Sequence, residues 1–174
     1  LVLTMIGSII LGMGVPTTAQ YIITSTLAAP ALYQMGVPLM SAHLFCLYFG
    51  VLADVTPPVA LATYAAAGIA GSNAMKTGFT ALITAMAGFV VPYMFIYNPH
   101  LLFQGNILQI GLAFVTALMG IIGLSAGVQG YYIAPLSLIE RLALLAVPFL
   151  LIVPNVATDI AGLAILVGVY GLQK

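Results

Sequence analysis

Two short stretches carry residue types that can hold a small cation: Gly12-Met13-Gly14-Val15-Pro16-Thr17-Thr18 and Ala53-Asp54-Val55-Thr56-Pro57-Pro58. In each, threonine stands beside proline, and the second adds the carboxylate of Asp54. Gly12 and Gly14 permit unusual dihedrals and close approach. Pro16 presets re-entry into helix, while Pro57 and Pro58 lack the N–H that would close helical hydrogen bonds and bias the residues before them away from helix. The carbonyls left free, together with hydroxyl and carboxylate oxygens, are hard ligands of the kind Na⁺ takes at broken membrane helices. Catalysis finds no comparable constellation. Asp54 has no His, Ser or Cys companion at helical spacing, and neither a Walker A lysine motif nor HExxH occurs. The chain is therefore expected not to be an enzyme and to need no cofactor.

Composition sets the medium in which these stretches work. Of 174 residues, 63% are apolar and only 3% charged, three basic against three acidic, where a soluble domain has about a quarter charged. So few charges cannot keep a domain of this size in water, so the bilayer is the solvent. The absence of a basic cluster removes nucleic acid as a partner. Cys46, the single cysteine, has no partner for a disulfide or metal site and reads as a small packing residue. The chain opens at Leu1 within an apolar run, without the flanks of a signal peptide, and is expected to be a fragment with partner segments upstream.

An all-α integral membrane fold follows. Four runs are expected to cross about 30 Å of hydrocarbon: Gly78 to Tyr97, Ile107 to Gly127, Ile133 to Val153 and a short one from Asp159 to Gln173. Breakers at Asn98-Pro99-His100, Gln129-Gly130 and Pro154-Asn155 mark the joints between them. The first part differs. Leu1 to Leu11 is too short to cross, and with the run Ala19 to Tyr33 it predicts a re-entrant hairpin over 1–34 whose tip is the first stretch. Pro38 to Ser72, as one straight helix, would be about 52 Å long, so a discontinuous helix over 38–72 is expected, broken at Asp54 to Pro58. Counting crossings places Lys76, Arg141 and Lys174 on one side, the cytoplasmic one by the positive-inside rule. The hairpin then dips in from the extracytoplasmic face.

Breaks inside hydrocarbon leave backbone groups unpaired, each at a cost of several kcal/mol unless something satisfies it. Two readings stay open: the breaks hold an ion and a substrate, or they are kinks and packing points of an assembly or anchoring subunit that transports nothing. Asp54 is either an ion ligand or a lone acid reaching loop backbone or water. A carboxylate at membrane depth costs at least about 2.5 to 3.5 kcal/mol on insertion scales. Thr24, Ser25 and Thr26 either continue the polar character of the first tip or bond to their own helix, which explains them equally well. His43 reads as a hydrogen-bonded packing residue, and Glu140 and Arg141 are expected to snorkel to the interface. Tyr93, Tyr97, Tyr131 and Tyr132 form an interfacial belt, and Gly120, Gly123 and Gly127 a helix-packing surface.

The stretch Leu11 to Ala19, with Ala53 to Ala60 and the run Ala65-Ala66-Ala67-Gly68-Ile69-Ala70-Gly71, resembles the C-terminal half of the large membrane subunit of TRAP transporters, the tripartite ATP-independent periplasmic family. The closest likeness is to the fused-permease branch, in which small and large membrane subunits form one polypeptide. The resemblance covers about Leu1 to Pro99, and Gln104 to Lys174 resembles the extra C-terminal membrane segment of fused permeases. It implies an elevator-type carrier that moves an organic acid coupled to Na⁺, a sodium symport in the bacterial inner membrane. An extracytoplasmic solute-binding protein would deliver the anion. Residues 1–99 would be the second of two inverted repeats, working with an upstream repeat and small-subunit helices of the same multi-pass permease.

Carried onto this chain, the resemblance implies a sodium site lined by Gly12, Thr17, Thr18, Thr56 and Pro57, with Thr17, Thr18 and Thr56 as metal ligands. Gly14, Pro16 and Pro58 would face the substrate beside it. Two departures stand out. The family often has an acidic residue shortly before the threonine of the tip, where this chain has Pro16, and Asp54 lies in the second break where a small or apolar residue is common. Asp54 is accordingly expected to act in the ion site from the other side.

Overall fold

The computed structural model describes residues 1–152 and 155–174. The described residues are helices and turns without a strand, apart from an isolated antiparallel bridge between Tyr131 and Pro135. The chain folds as two compact units, Leu1–Ala85 and Met86–Lys174.

In the first unit, α1 (Val2–Gly12) turns back through Gly14 into α2 (Thr17–Gln34). Gly14 takes the left-handed region at φ +75° that suits glycine, and Pro16 stands at the α2 N-cap. A second left-handed glycine, Gly36, and then Pro38 lead into α3 (Leu39–Leu52). The three helices pack on one another around Leu32, Phe45 and Phe49, all fully buried, with the two phenylalanine rings edge to face at 4.7 Å. Beyond the break come α4 (Leu61–Ala70) and α5 (Ala74–Ala85), which pair with each other.

The second unit holds α6 (Val91–Tyr97), α7 (Ile107–Gln129), α8 (Leu138–Ile152) and α9 (Val156–Leu172). Asn106 and Gln109 form a reciprocal capping box at the start of α7, and Asn155 accepts from the Ala157 N–H at the start of α9. Glycines let α8 and α9 approach α7. A Cβ on Gly123 would stand 3.1 Å from Leu166 and 3.2 Å from Val147, and one on Gly127 would stand 3.1 Å from Leu145. The helix-packing surface expected of these glycines is present.

The architecture is that of an all-α membrane protein. The stretch Ala74–Tyr97 and α7 are each long and apolar enough to cross a membrane, and α1, α4 and α9 are shorter apolar helices. Large apolar side chains such as Ile69, 92% exposed, and Ile107, 90% exposed, stand on the outside, which suits lipid or a protein neighbour and not water.

Several local expectations find their counterparts. Cys46 is buried. The His43 Nδ1 and Tyr21 hydroxyl lie 3.0 Å apart, and Thr24, Ser25 and Thr26 donate to carbonyls of their own helix. Others are corrected. The run expected from Ile133 becomes helical only at Leu138, because Tyr131 to Pro135 close a bridged turn. Ser137 and Glu140 then start the helix by exchanging backbone-to-side-chain bonds of 2.7 and 3.4 Å. The other end of that run, Val153, and Pro154 of the expected joint lie outside the described residues.

Arg141 has a specific structural role. Its Nε and Nη2 donate to the carbonyls of Gly127 at 2.8 Å and Val128 at 2.9 Å, closing the end of α7, where helical carbonyls have no partner of their own. Glu140 is likewise held at its own helix start through Ser137.

Candidate ion and substrate site

Both expected interruptions exist, and both lie in the first unit. α1 ends at Gly12, and the turn beyond it is held by long bonds, Met13 N–H to Ile10 and Val15 N–H to Gly12, each 3.4 Å. α3 ends at Leu52, a single 3-10 turn covers Ala53–Val55, and Thr56 is extended at φ −99°, ψ 116°. Helix resumes at Leu61 after Ala60, a non-glycine residue in the left-handed region at φ 37°. Such a residue is uncommon and strained, a kind of strain that clusters at ligand sites.

The two interruptions meet. A Cβ on Gly14, at the hairpin tip, would lie 3.6 Å from the Val59 side chain in the second break. A Cβ on Gly12 would stand 2.8 Å from the Gly50 carbonyl oxygen on α3. Such close approach of α1 to α3 requires glycine at position 12.

Thr56, partly buried, donates its hydroxyl proton to the Leu52 carbonyl at 2.7 Å. With the proton placed, its lone pairs are left to accept or to coordinate. Thr17 is exposed and lines an open cavity of about 460 Å³ with Leu47, Tyr48, Val51 and Leu52. Leu52, whose carbonyl Thr56 bonds, lines the same cavity as Thr17. Thr18 and Pro16 are exposed beside Thr17.

Pro57 packs beside α5, where a Cβ on Gly78 would lie 3.3 Å from its ring. Pro58 is exposed, and its carbonyl accepts from the Tyr64 hydroxyl at 2.8 Å. Asp54 is partly buried in the 3-10 turn, and its carboxylate makes no hydrogen bond among the described residues. No group of three or more His, Cys, Asp or Glu side chains is placed to hold a metal ion among the described residues, so any cation held here takes carbonyl, hydroxyl or lone carboxylate oxygens.

One residue of the site escaped the sequence reading. Gln20 projects from α2 into the contact between Gly12 and Gly50, is only 1% exposed, and has a hydrogen-bond partner on neither end of its amide. The available signal was a carboxamide one turn past the hairpin tip, the type of polar intramembrane residue that marks a functional candidate.

Comparison with known families matches residues 1–110 to the DctM component of the tripartite ATP-independent periplasmic transporters. Residues 111–161 match a domain of unknown function, DUF3394. No curated protein and no solved structure matches the chain.

Proposed function

Since the chain belongs to the DctM component of the tripartite ATP-independent periplasmic transporters, we propose that it binds sodium and an organic anion and carries both across the bacterial inner membrane. The coarser statement stands on the family: this is a component of a TRAP transporter permease, a membrane transport protein. The family also implies an extracytoplasmic binding protein.

The observation that supports the finer reading is the meeting of two interrupted helices within one compact unit, Gly14 against Val59 and Gly12 against Gly50. Interrupted helices that touch place the Thr56 hydroxyl, whose lone pairs stay open after it donates to Leu52, and the Asp54 carboxylate in the break that the hairpin tip reaches. The N-terminus of α2 begins there at Thr17. Its free N–H groups and dipole favour an anion, while released carbonyls and hydroxyls favour Na⁺. Such division of labour suits a carboxylate substrate in a unit whose basic side chain, Lys76, lies at the start of α5.

In this mechanism sodium neutralises and pins the two breaks, and the anion, delivered by the binding protein, settles against the helix start. The loaded unit then moves against a scaffold formed by a second, similar repeat and small-subunit helices. Ligands shift such an equilibrium only through their different affinity for the two states.

The test is uptake by the complete permease in proteoliposomes with its binding protein, driven by a sodium gradient or by choline in its place. Uptake that needs both sodium and the binding protein is expected, and equal uptake in choline overturns the reading. Asp54→Asn should raise the half-saturating sodium concentration about ten-fold, the usual size of a lost charge-assisted contact. An unchanged value removes Asp54 from the ion site.

A further inference from the structure

A buried amide that is hydrogen-bonded at neither end is costly, most of all in a membrane protein. Gln20 is such an amide: both Oε1 and Nε2 are buried without partners. Its head occupies a slot between two glycines that each lie near a break, Gly12 at the end of α1 and Gly50 near the end of α3. A Cβ on Gly50 would meet three Gln20 atoms, Nε2 at 2.8 Å and Cγ and Cδ at 3.3 Å. A Cβ on Gly12 would overlap Gln20 Nε2 and crowd the Gly50 carbonyl. Gln20 therefore reaches from α2 to the ends of both interrupted elements.

Its neighbourhood is polar as well. Gln20 follows Thr17 at i+3 on α2, so the two share a helix face. Ser8, one turn before Gly12 on α1, is fully buried beside the Cys46 thiol. A leucine or methionine would fill the slot with no orphaned atom, so packing alone leaves the amide unexplained. An amide can present either its oxygen or its nitrogen to the slot. The oxygen is a neutral, hard donor that does not titrate, which suits an alkali cation.

We propose that Gln20 is a further member of the ion site, its amide oxygen binding the coupling sodium ion where the hairpin tip meets the end of α3. The proposal rests on the sodium-coupled reading above and adds a ligand that reading lacked. It also gives a reason for glycine at positions 12 and 50, where a Cβ would collide with the amide.

The experiment uses the complete permease, with NaCl titrated against choline chloride at constant ionic strength. Two quantities are followed: the sodium concentration for half-maximal thermal stabilisation of the purified protein, and that for half-maximal uptake. Gln20→Leu should raise both about ten-fold, as expected for one lost ligand of a charged group. The double variant Gln20→Ala with Gly50→Ala puts a methyl group into the slot without restoring the amide, so it should show the same weakened sodium response. It also carries the test should Gln20→Leu fold poorly. Wild-type sodium response in these variants overturns the proposal and leaves sodium coupling intact. A wild-type protein that sodium does not stabilise, with uptake undiminished in choline, overturns both.

Discussion

Gly12→Ala probes the contact between the two interruptions directly. The added Cβ would stand 2.8 Å from the Gly50 carbonyl oxygen, a backbone atom, and would overlap the Gln20 amide. Ordinary contact begins near 3.4 Å, so α1 and α3 must part by roughly 0.6 Å even after Gln20 has swung aside, and overpacking of this kind costs roughly 1 to 3 kcal/mol. The gain in helix propensity from replacing glycine, about 0.5 to 1 kcal/mol in a helix interior and less at a helix end, offsets only part of it. A net loss of roughly 1 to 2 kcal/mol follows. Gly7→Ala in the same helix meets no atom within 4 Å and should be neutral or stabilising by up to about 1 kcal/mol. Thermal unfolding of the purified permease, followed by its monodisperse fraction after heating, ranks the two. Because Gly12 also belongs to the proposed ion site, its variant should weaken sodium stabilisation, whereas Gly7→Ala should not. A Gly12→Ala protein as stable as wild type, with the same sodium response, refutes the close approach of the two breaks and with it the geometry on which the site is built.

Two further outcomes concern the second unit. Arg141→Gln should destabilise it by about 1 to 2 kcal/mol, because the last carbonyls of α7 lose charge-assisted donors. Arg141→Lys should recover only part of this, since an ammonium lacks the planar fork that serves Gly127 and Val128 together; full recovery in a thermal melt would show that charge alone matters. Gly162→Ala brings a Cβ to 2.8 Å from both Cγ and Cδ2 of the buried Leu151, which should cost roughly 1 to 3 kcal/mol. Pairing it with Leu151→Ala should give a coupling energy well away from zero in a double-mutant cycle, and simple additivity would contradict the packing of α8 on α9.

The two interruptions could be recognised in the residues because their causes are local. Proline at 16, 57 and 58 and glycine at 12 and 14 act on the backbone within a few residues of themselves. The start of α7 at Ile107 was within reach for the same reason, whereas α9 begins at Val156, three residues before the expected Asp159. The turn at Tyr131 to Pro135 was missed because nothing in that apolar run breaks a helix before Pro135. The bonds that hold it to the end of α9, from the Ile133 and Ala134 N–H groups to the Gln173 side-chain oxygen, join residues far apart along the chain. The bonds of Arg141 were out of reach likewise, since the carbonyls it caps belong to another helix.

The amino-acid sequence alone determined the membrane as solvent, the helical class, the places where helix must stop and the oxygen-bearing residues at those places, because composition and local backbone sterics do not depend on what lies across the fold. Only tertiary structure decided that Gly14 rests on the second break, that Gly12 and Gly50 face each other, and that Gln20 sits between them with both amide atoms unpaired. Whether a polar atom finds a partner is settled by which backbones cross there, and residues 12, 20 and 50 become neighbours only when α1, α2 and α3 pack together.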